Sequence, residues 1–185
     1  RARGGVGAVR MYAEKISPIR MIVMDVDGVL TDGGILYEGA DTELKRFDIQ
    51  DGMGISLAIK AGLRVGILTG RSSPMVERRA RELSIPVVKQ GFHNKIEGWL
   101  EILRDEKVAA TEVAYIGDDV QDLPVLWRAG FSAAPANAVA EVKSDVDYVC
   151  QRSGGHGAVR EVIELLLTEK GIKAEVIAAF TGKKP

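Results

Sequence analysis

The chain has 185 residues, 46% of them apolar and 28% charged, which fits a single folded domain with a real core. Its 25 basic and 26 acidic residues leave a net charge of −1, without the cationic surplus of a nucleic-acid binder or of a protein held on an anionic membrane. No apolar run nears the ~20 residues of a membrane span. Cys150 is the only cysteine, so no internal disulfide is possible and a reducing cytoplasm is the expected compartment.

Residues 1–16 begin basic and glycine-rich and lack the apolar stretch of a secretory signal. They are expected to be a disordered extension or an expression remnant ahead of one domain over 17–185. Apolar, β-rich runs at 19–24, 64–68, 87–89, 113–116, 130–133 and 148–150 then alternate with helical patterns at 52–61, 74–83, 95–106, 123–128, 139–142, 158–170 and 174–180. Such alternation predicts an α/β fold: a doubly wound, Rossmann-like parallel sheet with helices on both faces. Ser73-Pro74 signals a helix start, and Asn94 with Glu97 has the pattern of a capping box. Trp99 and Trp127 fall in helical patterns and are expected in the core. One segment breaks the alternation. Residues 35–37 and 43–47 flank a turn at Glu38-Gly-Ala-Asp41, which predicts a β-hairpin projecting over the carboxyl end of the first strand.

That strand, Met21-Ile-Val-Met, delivers Asp25-Val-Asp27-Gly28 into a turn. Two carboxylates two residues apart repel each other unless a proton or a cation intervenes. Mg²⁺ suits them, because it takes oxygen ligands and binds through one or two carboxylates beside a phosphate. Turn chemistry alone would account for one such cluster, but Gly117-Asp118-Asp119-Val-Gln-Asp122 repeats the arrangement after a later strand. In a doubly wound sheet, ligands bind beyond the carboxyl ends of the strands, where strand order reverses. If three strands run outward and the fourth returns beside the first, the two acidic clusters meet. Thr69-Gly70-Arg71 then ends the strand on the other side, and Lys95 reaches in from a helix start. A cation there opposes the helix dipole and so implies an anionic partner.

These motifs, in this order and spacing, resemble the haloacid dehalogenase superfamily over about 19–170. The resemblance implies a Mg²⁺-dependent phosphatase. Asp-Val-Asp-Gly-Val-Leu-Thr-Asp-Gly-Gly from Asp25, Phe47-Asp48, Asp51-Gly52-Met-Gly54, Gln90-Gly91 and Gly154-Gly155-His156-Gly157 are similar to the small capless 3-deoxy-D-manno-octulosonate 8-phosphate phosphatases of lipopolysaccharide synthesis. The same scaffold serves phosphatases of nine-carbon keto acids (KDN or sialic acid 9-phosphate) and non-catalytic domains attached to acylneuraminate cytidylyltransferases. A basic residue at Arg71 goes with the eight-carbon branch and an acid with the nine-carbon branch. His156 stands where the resemblance implies an arginine.

Residue by residue, the resemblance makes Asp25 the nucleophile and Asp27 the general acid and base. Asp25, Asp118 and the Asp27 carbonyl hold Mg²⁺, and Thr69 and Lys95 hold phosphoryl oxygens. Gly28, Gly70, Arg71 and Asn94 bind the phosphorylated sugar acid, while Asp119 and Asp122 orient Lys95 or water on the metal. A phosphoacceptor receiver domain would end its third strand in an aspartate, and residues 87–90 hold none. A dehalogenase has no use for a second acid such as Asp27. Neither usual cap insertion has room here, so an open site and an exposed hairpin predict a homo-oligomer, by resemblance a tetramer.

Overall fold

The computed structural model describes residues 11–39 and 42–182. Among them a parallel sheet is built from β1 (Met21–Met24), β4 (Arg64–Leu68), β5 (Val87–Lys89), β6 (Val113–Ile116), β7 (Phe131–Ala134) and β8 (Tyr148–Val149), in the spatial order β5-β4-β1-β6-β7-β8. The first strand is central, and the strand following the 95–106 helix returns to its side as the acidic clusters required. Register is the decisive detail. Met24 lies opposite both Ile67 and Ile116, so the loops after β1, β4 and β6 leave the sheet at one level.

Both faces of β1 are buried because helices cover each. On one face Ile22, Met24, Ile67 and Ile116 join Ile55 of α2 (Ile49–Lys60) and Val162 and Leu166 of α7 (Ala158–Glu169). On the other, Met21, Val23, Leu68 and Tyr115 join Trp99 and Ile102 of α4 (Lys95–Glu106) and Val125 of α5 (Leu123–Leu126). Ser73 caps α3 (Pro74–Glu82) by accepting from the Met75 N–H.

Several expectations need correction. Residues 1–10 lie outside the described residues, but the extension expected through 16 ends sooner. Ala13–Ile16 forms α1, Ile16 is fully buried, and the Tyr12 ring packs edge-on against Phe131 and Tyr148. Helix α2 starts at Ile49 because the Asp48 carboxylate accepts from the Gln50 and Asp51 N–H groups. The capping box at Asn94 does not form, since its side-chain amide donates to Glu97 at 2.9 Å and caps no backbone group. Trp127 is exposed, with its indole N–H on Asp145. The hairpin is shorter than expected, with β2 at Leu36–Glu38 and β3 at Thr42–Leu44, and part of its turn falls outside the described residues. Lys45 leaves the ribbon and turns inward.

Ile16 offers a check on the domain boundary. Truncating a fully buried Ile to Ala costs about 2–5 kcal/mol, and each kcal/mol moves Tm by roughly 2–4 °C in a domain of this size. Ile16→Ala should therefore lower the melting temperature by roughly 4–20 °C; an unchanged melt would mean that the segment does not belong to the core.

Candidate active site

The chain leaves β1 at Asp25, whose N–H donates to the Ile116 carbonyl at 3.0 Å. This last ladder bond points the Asp25 side chain into the cleft above the sheet, where it is buried. Lys95, first residue of α4, reaches Asp25 Oδ2 with its Nζ at 2.8 Å and Asp122 Oδ1 at 2.5 Å. All three side chains are removed from water, so the lysine offsets charge that the site could not otherwise hold. Asp122 lies in the short 3₁₀ turn Val120–Asp122 and also accepts from the Tyr115 hydroxyl at 2.6 Å. Its second oxygen takes the backbone N–H groups of Asp118 and Asp119 at 3.1 and 3.3 Å.

Asp118 faces Asp25 from the neighbouring loop. Among the described residues, Asp25 Oδ1 and Asp118 Oδ1 are buried without a hydrogen-bond partner. Oxygens of Asp25, Asp118 and Asp122 lie within 4.8 Å of one another. Asp122 is already occupied by its four donors, so the two orphaned oxygens mark the place for a hard cation and the residues present fit Mg²⁺. Gly28 makes room for this meeting. Its φ of +88° suits glycine, and a Cβ there would lie 2.0 Å from Asp118 Oδ2.

Asp27 points to the rim. Its carboxylate is ion-paired with Lys45 Nζ and lies 3.7 Å from Arg71 Nε. Both cations also meet Glu43, Lys45 at 3.0 Å and Arg71 at 3.0 Å, so the base of the hairpin is tied to the residue two after Asp25. Thr69 is buried at the end of β4, its N–H donating to the Lys89 carbonyl and its carbonyl accepting from the Phe92 N–H. Gly70 lies against the Gln121 side chain. Asp119 caps the turn through the Val120 N–H at 2.7 Å.

The structure thus brings together Asp25, Lys95, Asp118 and Asp122, with Asp27, Gly28 and Arg71 beside them. Asn94 does not join them, because it is exposed and its side chain is spent on Glu97. The sequence reading missed Lys45, which no periodicity distinguishes from a solvated hairpin lysine. It took Tyr115 only as an apolar strand residue. Asn137 also went unseen; it donates to the Gly28 carbonyl at 3.0 Å and accepts from the Gly154 N–H at 2.6 Å. Gly154 is packed so closely that a Cβ would lie 1.8 Å from the Gly28 oxygen. The next residues hold a further buried acid, Asp51, which accepts from the Gly157 and Arg160 N–H groups at the start of α7.

Burial pushes Asp118 up to about 7, with Asp25 and Asp122 adding to the shift. Burial also lifts Asp25 to about 6, against the pull of Lys95 and with a push from Asp122. Both values lie above the ordinary 3.8. Between those limits these two groups bind more protons in the folded chain than in the unfolded one, so their contribution to stability falls as pH rises from about 4 to about 7. A cation bound only by the folded chain removes that penalty. Mg²⁺ should therefore raise the melting temperature more at about pH 8 than at about pH 5.5. Asp118→Asn should raise the metal-free melt at the higher pH and abolish the Mg²⁺ response. Equal Mg²⁺ shifts at both pH values would contradict this account.

Comparison with known proteins bears on the chain as a whole. The haloacid dehalogenase-like hydrolase model matches residues 84–163. A 3-deoxy-D-manno-octulosonate 8-phosphate phosphatase of Escherichia coli K12 is 42% identical over 157 residues, covering 85% of this chain and 84% of that one. The crystal structure of such a phosphatase from Moraxella catarrhalis, in complex with magnesium, phosphate and KDO, superposes with a TM-score of 0.89 at 38% identity, over 94% of this chain and 99% of that one. A cobalt-bound form from Haemophilus influenzae gives 0.86 at 36% identity, over 92% and 99%. With that identity spread over most of both chains, and on the fold described above, the chain belongs to the 3-deoxy-D-manno-octulosonate 8-phosphate phosphatases of the haloacid dehalogenase-like hydrolases.

Proposed function

We propose that this phosphatase hydrolyses 3-deoxy-D-manno-octulosonate 8-phosphate to the free keto acid and inorganic phosphate, with Mg²⁺, in lipopolysaccharide synthesis. The observation that carries the reading is Asp25: one oxygen is held by Lys95 and the other is buried, unpartnered and beside Asp118. The substrate preference is supported by the relatives named above, which do not favour the nine-carbon acids or an idle scaffold.

Phosphate monoesters hydrolyse so slowly in water that the site must supply large transition-state stabilisation. An Asp25 oxygen attacks phosphorus; the new O–P bond forms as the bond to the sugar oxygen breaks, leaving an aspartyl-phosphate. Asp27 gives a proton to the departing alkoxide and then takes one from the water that attacks phosphorus, which releases Asp25 and phosphate. Lys95 and Thr69 hold the phosphoryl oxygens, the lysine as a fixed positive charge. Asp25, Asp118 and the Asp27 carbonyl would hold Mg²⁺, which when bound would supply neutralisation of phosphoryl charge. Arg71 meets the substrate carboxylate, and Gly28 and Gly70 let backbone approach the phosphate. Asn94 could join this set only by leaving Glu97.

The test compares three variants on two substrates. Asp25→Asn should abolish turnover of both the octulosonate phosphate and an aryl phosphate while the fold persists. Asp27→Asn should slow the sugar substrate by about 10²–10⁴-fold and the aryl phosphate less, because a phenolate leaves without full protonation. Arg71→Ala should reduce kcat/KM for the sugar acid far more than for the aryl phosphate. Near-normal rates in Asp25→Asn would end the mechanism, and equal losses in Arg71→Ala would remove the carboxylate role.

The proposal extends to assembly and compartment. Ile35, Leu36, Tyr37 and Leu44 are exposed on the hairpin, an apolar ribbon too small to be stable alone. We take it to pair with copies of itself in a homotetramer, which closed symmetry favours. Among the described residues no helix is long and apolar enough to cross a membrane. The buried thiol of Cys150, pushed up to about 12 chiefly by burial, suits a cytoplasmic enzyme. Light scattering at micromolar concentration should give a tetramer that Ile35→Glu with Leu44→Lys dissociates, with activity falling in step; a fully active monomer would overturn the assembly.

A further inference from the structure

Tyr115 sits in β6 with its ring in the core, edge-on to Trp99 with centroids 6.0 Å apart and planes at 80°. Trp99 follows Lys95 by four residues and so shares its face of α4. The packing of Trp99 against the tyrosine ring and the hold of Lys95 on Asp122 thus lie one helical turn apart. The tyrosine hydroxyl completes the triangle on Asp122.

Asp122 is fully buried, and a carboxylate offers about four lone-pair sites. All four are used: Oδ1 by Lys95 at 2.5 Å and Tyr115 at 2.6 Å, Oδ2 by the N–H groups of Asp118 and Asp119. Lys95 has three donors and spends one on Asp122 and one on Asp25. Among the described residues the third has no partner, which leaves it for a phosphoryl oxygen. Without the tyrosine hydroxyl, a buried carboxylate would keep an empty site beside an ammonium with a donor to spare, and an unmet buried acceptor is costly. The shortest repair turns the ammonium toward Asp122 and away from the reaction.

We propose that Tyr115 is a positioning residue of the phosphatase: by filling one site on Asp122 it keeps Lys95 directed at Asp25 and the phosphoryl group. Burial, reinforced by the nearby carboxylates, holds the Tyr115 hydroxyl well above its ordinary titration range, so it stays a donor. The inference rests on the reading of Asp25 as nucleophile and Lys95 as phosphoryl ligand.

Tyr115→Phe removes one oxygen and keeps the ring on Trp99. With p-nitrophenyl phosphate and Mg²⁺, kcat should fall about tenfold while KM stays within about twofold, the mark of a donor misplaced in the transition state. Inhibition by orthovanadate, which mimics five-coordinate phosphorus, should weaken about tenfold as well. In a Lys95→Ala background the same change should have no further effect on vanadate inhibition, whereas a purely structural defect would multiply through. Should Tyr115→Phe not fold, the wild-type protein still decides. Its Tyr115 hydroxyl proton, observed by NMR, should be protected from solvent and shift on adding Mg²⁺ and vanadate. A folded Tyr115→Phe with normal kcat, a loss repeated in the Lys95→Ala background, or a freely exchanging hydroxyl proton indifferent to vanadate would each overturn the proposal. Wild-type protein that releases no phosphate would instead defeat the underlying reading, so the two failures are distinct.

Discussion

The ammonium of Lys95, held in the dry cleft between Asp25 and Asp122, is the interaction on which the site depends. A buried cation is tolerable only with paired charge, and the two carboxylates are tolerable only with the cation. Their attraction draws together β1, the start of α4 and the turn after β6, three segments far apart in the chain. The parallel sheet makes this possible by setting the ends of β1, β4 and β6 at one level. Shifting β6 by one residue along β1 would carry Asp118 away from Asp25 and turn Tyr115 to the opposite face.

The same cleft carries more negative than positive charge. Lys95 answers Asp25 and Asp122, but Asp118 has no cation of its own among the described side chains at that depth, and burial raises its affinity for a proton. This excess is a standing destabilisation that a core of apolar residues would not suffer. Natural proteins accept such strain where function needs it, and compensate elsewhere in the fold. Here the compensation is a sheet whose central strands are buried on both faces.

Much of the architecture was legible because local and global signals agreed. The runs at 64–68, 87–89 and 113–116 and the helix at 95–106 are strongly patterned, and each lies where its pattern put it. Strand order followed from chemistry: acidic clusters at 25–27 and 118–122 make sense only if they meet. Legibility ended where a residue's meaning came from a partner distant in sequence. Lys45 reads as a surface lysine until Asp27 and Glu43 are seen around it. Tyr115 reads as core, which it is, and nothing local announces that its hydroxyl serves Asp122. Trp127 was misjudged because four residues of α5 are too few to define a buried face. Tyr12 and Ile16 read as part of a tail because the glycines before them mask a core residue, Ile16, and a ring packed against the core, Tyr12.

Asn137 and Gly154 brace the Gly28 peptide from the far end of the chain; the bond from Asn137 alone spans 109 positions. The loop that carries Asp25 and Asp27 is therefore made early in synthesis and supported late. Such long-range closure slows folding, since the connecting chain must be ordered before the contact forms. On the ribosome Asp25 emerges well ahead of the residues that shape its surroundings, so birth order and assembly order of the site run in opposite directions.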